Sequence, residues 1–370
     1  MTPTPQPAVQ GIVERHEQHC TILAPAHQKP FRRVLYVNSY GGAAVWNKIK
    51  QNLLPPQHLW GCIELVRMGY EVALAEPLPD FYLYRRPLPH DCKFFKLITG
   101  WLGRDGIVYC GHNVLHWIPV LKALRILRCK VVSNLWAREP LDFAAAHDGI
   151  ITLTQAGYEH AKKLNPKAKI ARLGWGCCPE YYPNLPYEPE SFLSCGITNR
   201  DHRTLSLAAA KCKRPLRLIC PKAPEGLNWP PNVTVIETGR GWNVDEKKVG
   251  YGELLNEYYA RSAGSVVPVK RDDHQYIACG MTEVLEAMAM ARPVILTRTG
   301  ALPTEIDVEK AGCGLHVAPE DPDALAKAIE TLVADPTLAR AMGMKGRMLI
   351  EKHYNMRRFA GQLHQLFESL

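Results

Sequence analysis

From Arg33 onward, short apolar runs and helix-length amphipathic stretches take turns along the chain. Val34-Leu35-Tyr36-Val37 runs into polar and glycine residues from Asn38 to Gly42, the pattern of a buried parallel strand feeding a loop. Pro55-Pro56 stands where a helix can begin, since proline's missing N–H costs nothing in a first turn; the helix reading continues to Met68, and Gly69 stops it. The alternation continues through strands at 71–75, 106–110, 130–134, 149–152 and 169–173, with helices at 118–127 and 156–164. Such an order predicts a parallel sheet wrapped on both faces. Residues 1–30 carry Pro3, Pro5, Pro7, Pro25 and Pro30 with little periodicity, and read as an irregular extension with at most a short strand near Thr21 to Leu23.

The segment 179–190 holds four prolines between Pro179 and Pro189, so it can be neither helix nor central strand and reads as a linker. Beyond it the grammar restarts, with strands at 191–195, 216–220, 233–237, 265–269, 293–297 and 314–317, and helices at 203–212, 250–262, 282–291 and 321–334. The expectation is α/β: a first Rossmann-like domain over 31–178, a second over 191–352, and a closing helix over 353–370 that can cross back to the first. Ligands of such sheets lie beyond the carboxyl ends of the strands.

A length of 370 residues with 46% hydrophobic content supports two cores and excludes disorder as the main state. No run approaches the roughly 18 to 20 uncharged apolar residues of a membrane span. Met1 to Gln10 lacks the basic-then-apolar order of a signal peptide, so the expected compartment is the cytoplasm. The net charge of +9 is scattered in small clusters, which read as solvated surface or as attraction to an anionic ligand or lipid surface. Twelve cysteines without a single C-x-x-C read as reduced, buried small hydrophobes.

The most informative stretch is Gly280 to Ile295, GMTEVLEAMAMARPVI. A strand leads through a polar loop, Lys270 to Tyr276, into Gly280-Met281-Thr282 and then a strong helix, whose free first-turn N–H groups suit a phosphate. Glu283 and Glu286 lie three apart on that helix, where a carboxylate can accept hydrogen bonds from a ribose diol or simply compensate the helix dipole.

The run E-A-M-A-M-A-R-P-V-I resembles the E-A-x-A-x-G-x-P-V-[IV] stretch of retaining GT-B glycosyltransferases, the large group 1 family that includes sucrose synthase and bacterial mannosyl- and lipopolysaccharide glucosyltransferases. Other pieces resemble the family in its order. They are Gly174-Trp175-Gly176-Cys177-Cys178 with Tyr181-Tyr182-Pro183, Ser194-Cys195-Gly196, Thr299 to Ile306, and Ala311-Gly312-Cys313-Gly314 with Pro319-Glu320-Asp321. The resemblance spans roughly residues 33 to 366 and is strongest in the second half. It implies two Rossmann-like domains facing a cleft, with the acceptor mainly on the first and a nucleotide sugar mainly on the second.

Carried over by motif, Glu286 matches the glutamate that holds the ribose, and Gly280, Met281 and Thr282 form the helix start at the diphosphate. Arg200 and Arg203 fall where the family grips the diphosphate; arginine's fork suits phosphate oxygens and keeps its charge as the leaving group becomes anionic. Gly41 and Gly42 sit where the family places a glycine loop against the donor, and His112 where the first domain presents a histidine to the sugar. The chain departs from the pattern at Ala278, where a second glutamate is usual, leaving Asp272 and Asp273 as the nearest carboxylates. It departs again at Cys177-Cys178, in place of a linker aspartate. The resemblance thus implies metal-independent transfer with retention, without a cofactor. UDP-glucose is the first donor expected and GDP-mannose the next; the acceptor is a saccharide, lipid or natural product. No nucleic-acid partner is expected, and the aromatic-basic loop Phe81 to Arg86 suits either the acceptor cleft or peripheral contact with the inner membrane face. A nucleotide-sugar epimerase and a catalytically silent sugar-binding subunit are the alternatives.

Overall fold

The computed structural model describes residues 9–17, 20–38, 40–76, 82–83, 86–87, 94–111, 115–135, 144–196, 198–238, 249–271, 279–299 and 306–370. The chain forms two compact units, residues 1–175 with 356–370, and residues 176–355.

In the first unit the strands are β1 (Ile12–Glu17), β2 (Cys20–Pro25), β3 (Arg32–Val37) and β4 (Tyr70–Ala75), a short hairpin of β5 (Tyr82–Leu83) and β6 (Arg86–Pro87), then β7 (Ile107–Cys110), β8 (Lys130–Leu135), β9 (Gly149–Thr152) and β10 (Lys169–Arg172). Apart from the hairpin they make one sheet of order β1-β2-β4-β3-β7-β8-β9-β10, parallel from β4 to β10. The helices are α1 (Gly42–Lys50), α2 (Cys62–Arg67), the short α3 (Phe95–Leu97) with a π-helical turn after it, α4 (Trp117–Ala123) and α5 (Gln155–Leu164). All six residues of β4 are buried, as expected of a strand covered on both faces.

Four expectations for this unit are corrected. Within the stretch expected as an irregular extension, Ile12–Glu17 and Cys20–Pro25 are ordered strands: β1 and β2 form an antiparallel hairpin, and β2 adds to β4 with Cys20 opposite Ala75 and Leu23 opposite Val72. Pro25 and Pro30 lie at the end of β2 and beyond it, so they bound the strands instead of interrupting them. The helix expected up to Met68 is broken, because a 3₁₀ turn at Pro56–Leu59 is followed by Trp60 and Gly61 at φ 50° and 82° before α2 begins. Helix α1 occupies the Gly42 region that reads as loop; a Cβ on Gly42 would stand 3.2 Å from Leu74 Cβ, so glycine lets α1 lie against the sheet. Helix α4 stops short of Leu127, with Arg125 at φ 59°.

The second unit holds β11 (Ser191–Cys195), β12 (Leu216–Cys220), β13 (Val233–Glu237), β14 (Ser262–Val267), β15 (Val294–Thr297) and β16 (Gly314–Val317), with helices α6 (His202–Cys212), the short α7 (Tyr251–Glu253), α8 (Met281–Ala289), α9 (Pro322–Ala334) and α10 (Pro336–Lys352). The sheet order is β13-β12-β11-β14-β15-β16, all parallel. Strand order therefore reverses between β11 and β14, which puts the ligand-binding crevice of such a sheet beyond their carboxyl ends. Asp201, Asp321 and Asp335 cap α6, α9 and α10 by accepting the N–H of Thr204, Ala324 and Leu338. A core of Phe192, Leu205, Leu218, Val266, Ile295 and Ile329 joins the helices to the sheet.

The single helix expected over 250–262 is α7 followed by a π-helical turn at Leu254–Tyr259. The proline-rich stretch 179–190 lies inside the second unit, and the chain leaves the first at Trp175. Arg347 of α10 accounts for this by donating to the carbonyls of Pro179 and Tyr182 at 3.0 and 2.8 Å. The final helix, α11 (Met356–Glu368), belongs to the first unit, where Phe359 and Phe367 lie against Trp60 and Tyr109.

Candidate functional site

At the reversal of strand order, the loop after β11 and the extension of β14 pair with each other. Arg200 and Val269 form an antiparallel bridge, Asp201 N–H donates to Pro268 O at 2.8 Å, and Lys270 N–H donates to Asn199 O at 3.0 Å. Gly280 opens α8 beside them at φ 84°, and a Cβ there would lie 2.8 Å from Val267 Cγ1. Both the backbone sign and the close approach require glycine. Met281 is buried and Thr282 exposed.

Glu283 and Glu286 both point inward. Glu283 accepts the Cys195 N–H at 2.8 Å and the Ser265 hydroxyl at 2.9 Å on one oxygen, and the Arg200 guanidinium at 3.1 Å on the other. Burial pushes its carboxyl above the ordinary range, with Arg200 and the Cys195 and Ser265 donors pulling the other way. Glu286, in the second turn of α8, accepts the hydroxyls of Tyr251 and, at 3.4 Å, Tyr259. Tyr251 also meets Tyr182, 3.0 Å between hydroxyl oxygens, and burial followed by the Glu286 charge raises its phenol well above the usual value.

Arg200 is held in place by three acceptors. Besides Glu283, it donates to Thr198 O at 2.8 Å and, through Nε and Nη2, to Cys195 O at 3.4 and 3.3 Å. The side chain folds back over Gly196, where a Cβ would collide with Nη2 at 2.3 Å. Arg203 stands exposed in the first turn of α6. His202 beside it has its imidazole lowered to about 4, first by burial, then by the charges of Arg200 and Lys270. Cys177 is a buried thiol pushed well up by burial and then by the Glu286 charge.

The structure thus places Arg200, Gly280, Met281, Thr282 and Glu286 at and beside the start of α8 in the second unit, with Arg203 exposed on α6 of the same unit. Gly41 and Gly42 lie in the first unit, at the start of α1 after β3. His112, Asp272, Asp273 and Ala278 lie outside the described residues. The tyrosines that hold Glu286 carry no sequence signal, whereas Lys270 does, being a cation just past the carboxyl end of a buried strand. The cysteines of the described residues are buried. Among those residues no group of three His, Cys, Asp or Glu is placed to hold a metal ion, and no helix is long and apolar enough to cross a membrane.

Residues 239–335 match the family model described as glycosyl transferases group 1. The second unit therefore carries a group 1 glycosyl transferase domain. A stretch of 86 residues, 23% of this chain, is 41% identical to D-inositol 3-phosphate glycosyltransferase of Corynebacterium jeikeium and spans 20% of that protein's length. Sucrose-phosphate synthase of Thermosynechococcus elongatus superposes over 92% of this chain and 99% of its own, with TM-score 0.65 and 18% identity. HepE of Anabaena, solved with UDP, superposes over 91% of this chain and 100% of its own, with TM-score 0.59 and 13% identity. The fold is GT-B, built from two α/β units.

Proposed function

We propose that this chain is a retaining glycosyltransferase that takes its sugar from a nucleotide-diphosphate donor, UDP-glucose first and GDP-mannose next, and passes it to a saccharide, lipid or natural-product hydroxyl. The observation that carries the reading is the placement of Glu286. It is a buried carboxylate in the second turn of a glycine-started helix, at the reversal of strand order, inside the segment that matches the group 1 model. In this reading Glu286 accepts the ribose hydroxyls and the first-turn N–H groups of α8 take the phosphates. Arg203 answers the leaving-group charge, with Arg200 holding the loop after β11 at the start of α8; Asp272 or Asp273 meets the sugar hydroxyls, and His112 and Gly41-Gly42 the donor from the first unit. Catalysis is then electrostatic: fixed positive charge stabilises the departing diphosphate, which itself accepts the acceptor's proton, and no metal is called on.

Support for the donor class comes from HepE of Anabaena, solved with UDP and with UDP-glucose. Support for transfer comes from the name of the curated relative. Calorimetry with UDP, GDP and ADP tests the reading: one should bind, and Glu286→Ala should weaken it about tenfold or more with the fold intact. An absence of binding by all three up to millimolar concentration would remove the donor reading.

A further inference from the structure

We propose that Lys270, rather than Arg200, supplies the free positive charge that meets the donor's diphosphate; this rests on the nucleotide-sugar reading above. Arg200 has little left to offer. Its Nε, Nη1 and Nη2 all donate within the protein, and its charge is balanced by Glu283 in a pair whose side chains are 5% and 2% exposed. A guanidinium so engaged orients the loop, and taking a phosphate would require it to abandon a buried carboxylate. Its role is positioning: through Cys195 O, Thr198 O and Glu283 it ties the end of β11 to the first turn of α8.

Lys270 is placed differently. Its backbone N–H is bound to Asn199 O, which fixes its α-carbon at the same strand ends as Arg200. The residue before it, Val269, lies 3.4 Å from where a Gly280 Cβ would stand, so Lys270 leaves the sheet beside the start of α8. Its side chain is exposed and makes no ion pair within the described structure. An ammonium at such a point, beside the first-turn N–H groups of α8, carries three donors and a charge that no described carboxylate pairs with, the requirements for holding a diphosphate. Together with burial and Arg200, the Lys270 charge lowers the His202 imidazole at the start of α6.

The test is calorimetry on the full chain with UDP, GDP and ADP and their monophosphates, comparing wild type with Lys270→Met, Lys270→Arg and, as a neighbouring-charge control, Arg271→Met. The expected result is that Lys270→Met weakens the diphosphate about tenfold or more, while the monophosphate changes much less. Lys270→Arg should recover most of the loss, and Arg271→Met should stay within about threefold of wild type. If wild type binds a diphosphate and Lys270→Met binds it equally well, or if Arg271→Met loses as much, the assignment of Lys270 is overturned while the nucleotide reading stands. If wild type binds none of the nucleotides, both fall together.

Discussion

Arg200 and Glu283 form a buried ion pair, Nη2 to Oε2 at 3.1 Å, joining the loop after β11 to the first turn of α8 across 83 positions of sequence. Removing one partner strands the other without water. Glu283→Ala should therefore cost about 3–5 kcal/mol of stability, whereas the double change Arg200→Met with Glu283→Met should cost clearly less, because no charge is left behind. Urea unfolding of the two variants decides it; equal losses would mean that packing, and not charge, is what the pair contributes.

Ala291 adopts φ 55° directly after α8. Its N–H reaches Met288 O at 3.0 Å and the Arg292 N–H reaches Ala287 O at 2.8 Å, the paired bonds of a Schellman helix end whose left-handed residue is usually glycine. Ala291→Gly should raise stability by about 0.5–1 kcal/mol, despite the added freedom of the unfolded chain. The unfolding midpoint reads this directly, and a midpoint that falls would contradict it.

His202 links pH to the candidate site. With its imidazole at about 4, below the ordinary 6.5, the folded state binds fewer protons than the unfolded chain between those values. Its contribution to stability is thus fully present above pH 6.5 and is lost as pH falls toward 4. Lys270→Met should move the His202 titration upward, because one of the charges that depress it is gone. An NMR titration of the imidazole that is superposable on wild type would refute the electrostatic contact.

Tyr251 donates to Glu286, which already receives Tyr259. Tyr251→Phe should leave Glu286 less well oriented and raise the donor KM about tenfold with kcat little changed. Steady-state kinetics with an identified donor reads the split; a fall in kcat at constant KM would place Tyr251 on the reacting sugar instead.

The second unit was the more legible half. Strands 191–195 and 216–220 fall where their apolar runs put them, because a parallel strand covered on both faces reads as a hydrophobic segment, and the half-buried edge strands 233–237 and 314–317 fall at the expected positions too. In the first unit, helix α1 was hidden by the glycines that let it pack, and the N-terminal hairpin by prolines that stand at its edges. Glu286 could be picked out by spacing and resemblance. The engagement of Arg200 could not, since its partner lies on another element and only the folded sheet brings them together.

Helix α11 lies in the first unit, yet residues 176–355 separate it from the rest of that unit along the chain. Phe359 stands 3.3 Å from where a Gly61 Cβ would be, and Phe367 lies within 6.0 Å, centroid to centroid, of Tyr70. During synthesis residues 1–175 therefore wait with these aromatic faces uncovered, while residues 176–355, all made before α11, can complete their own core. The first unit can close its core only after residues 176–355 have been made, and the interval in between is where a chaperone has most to do.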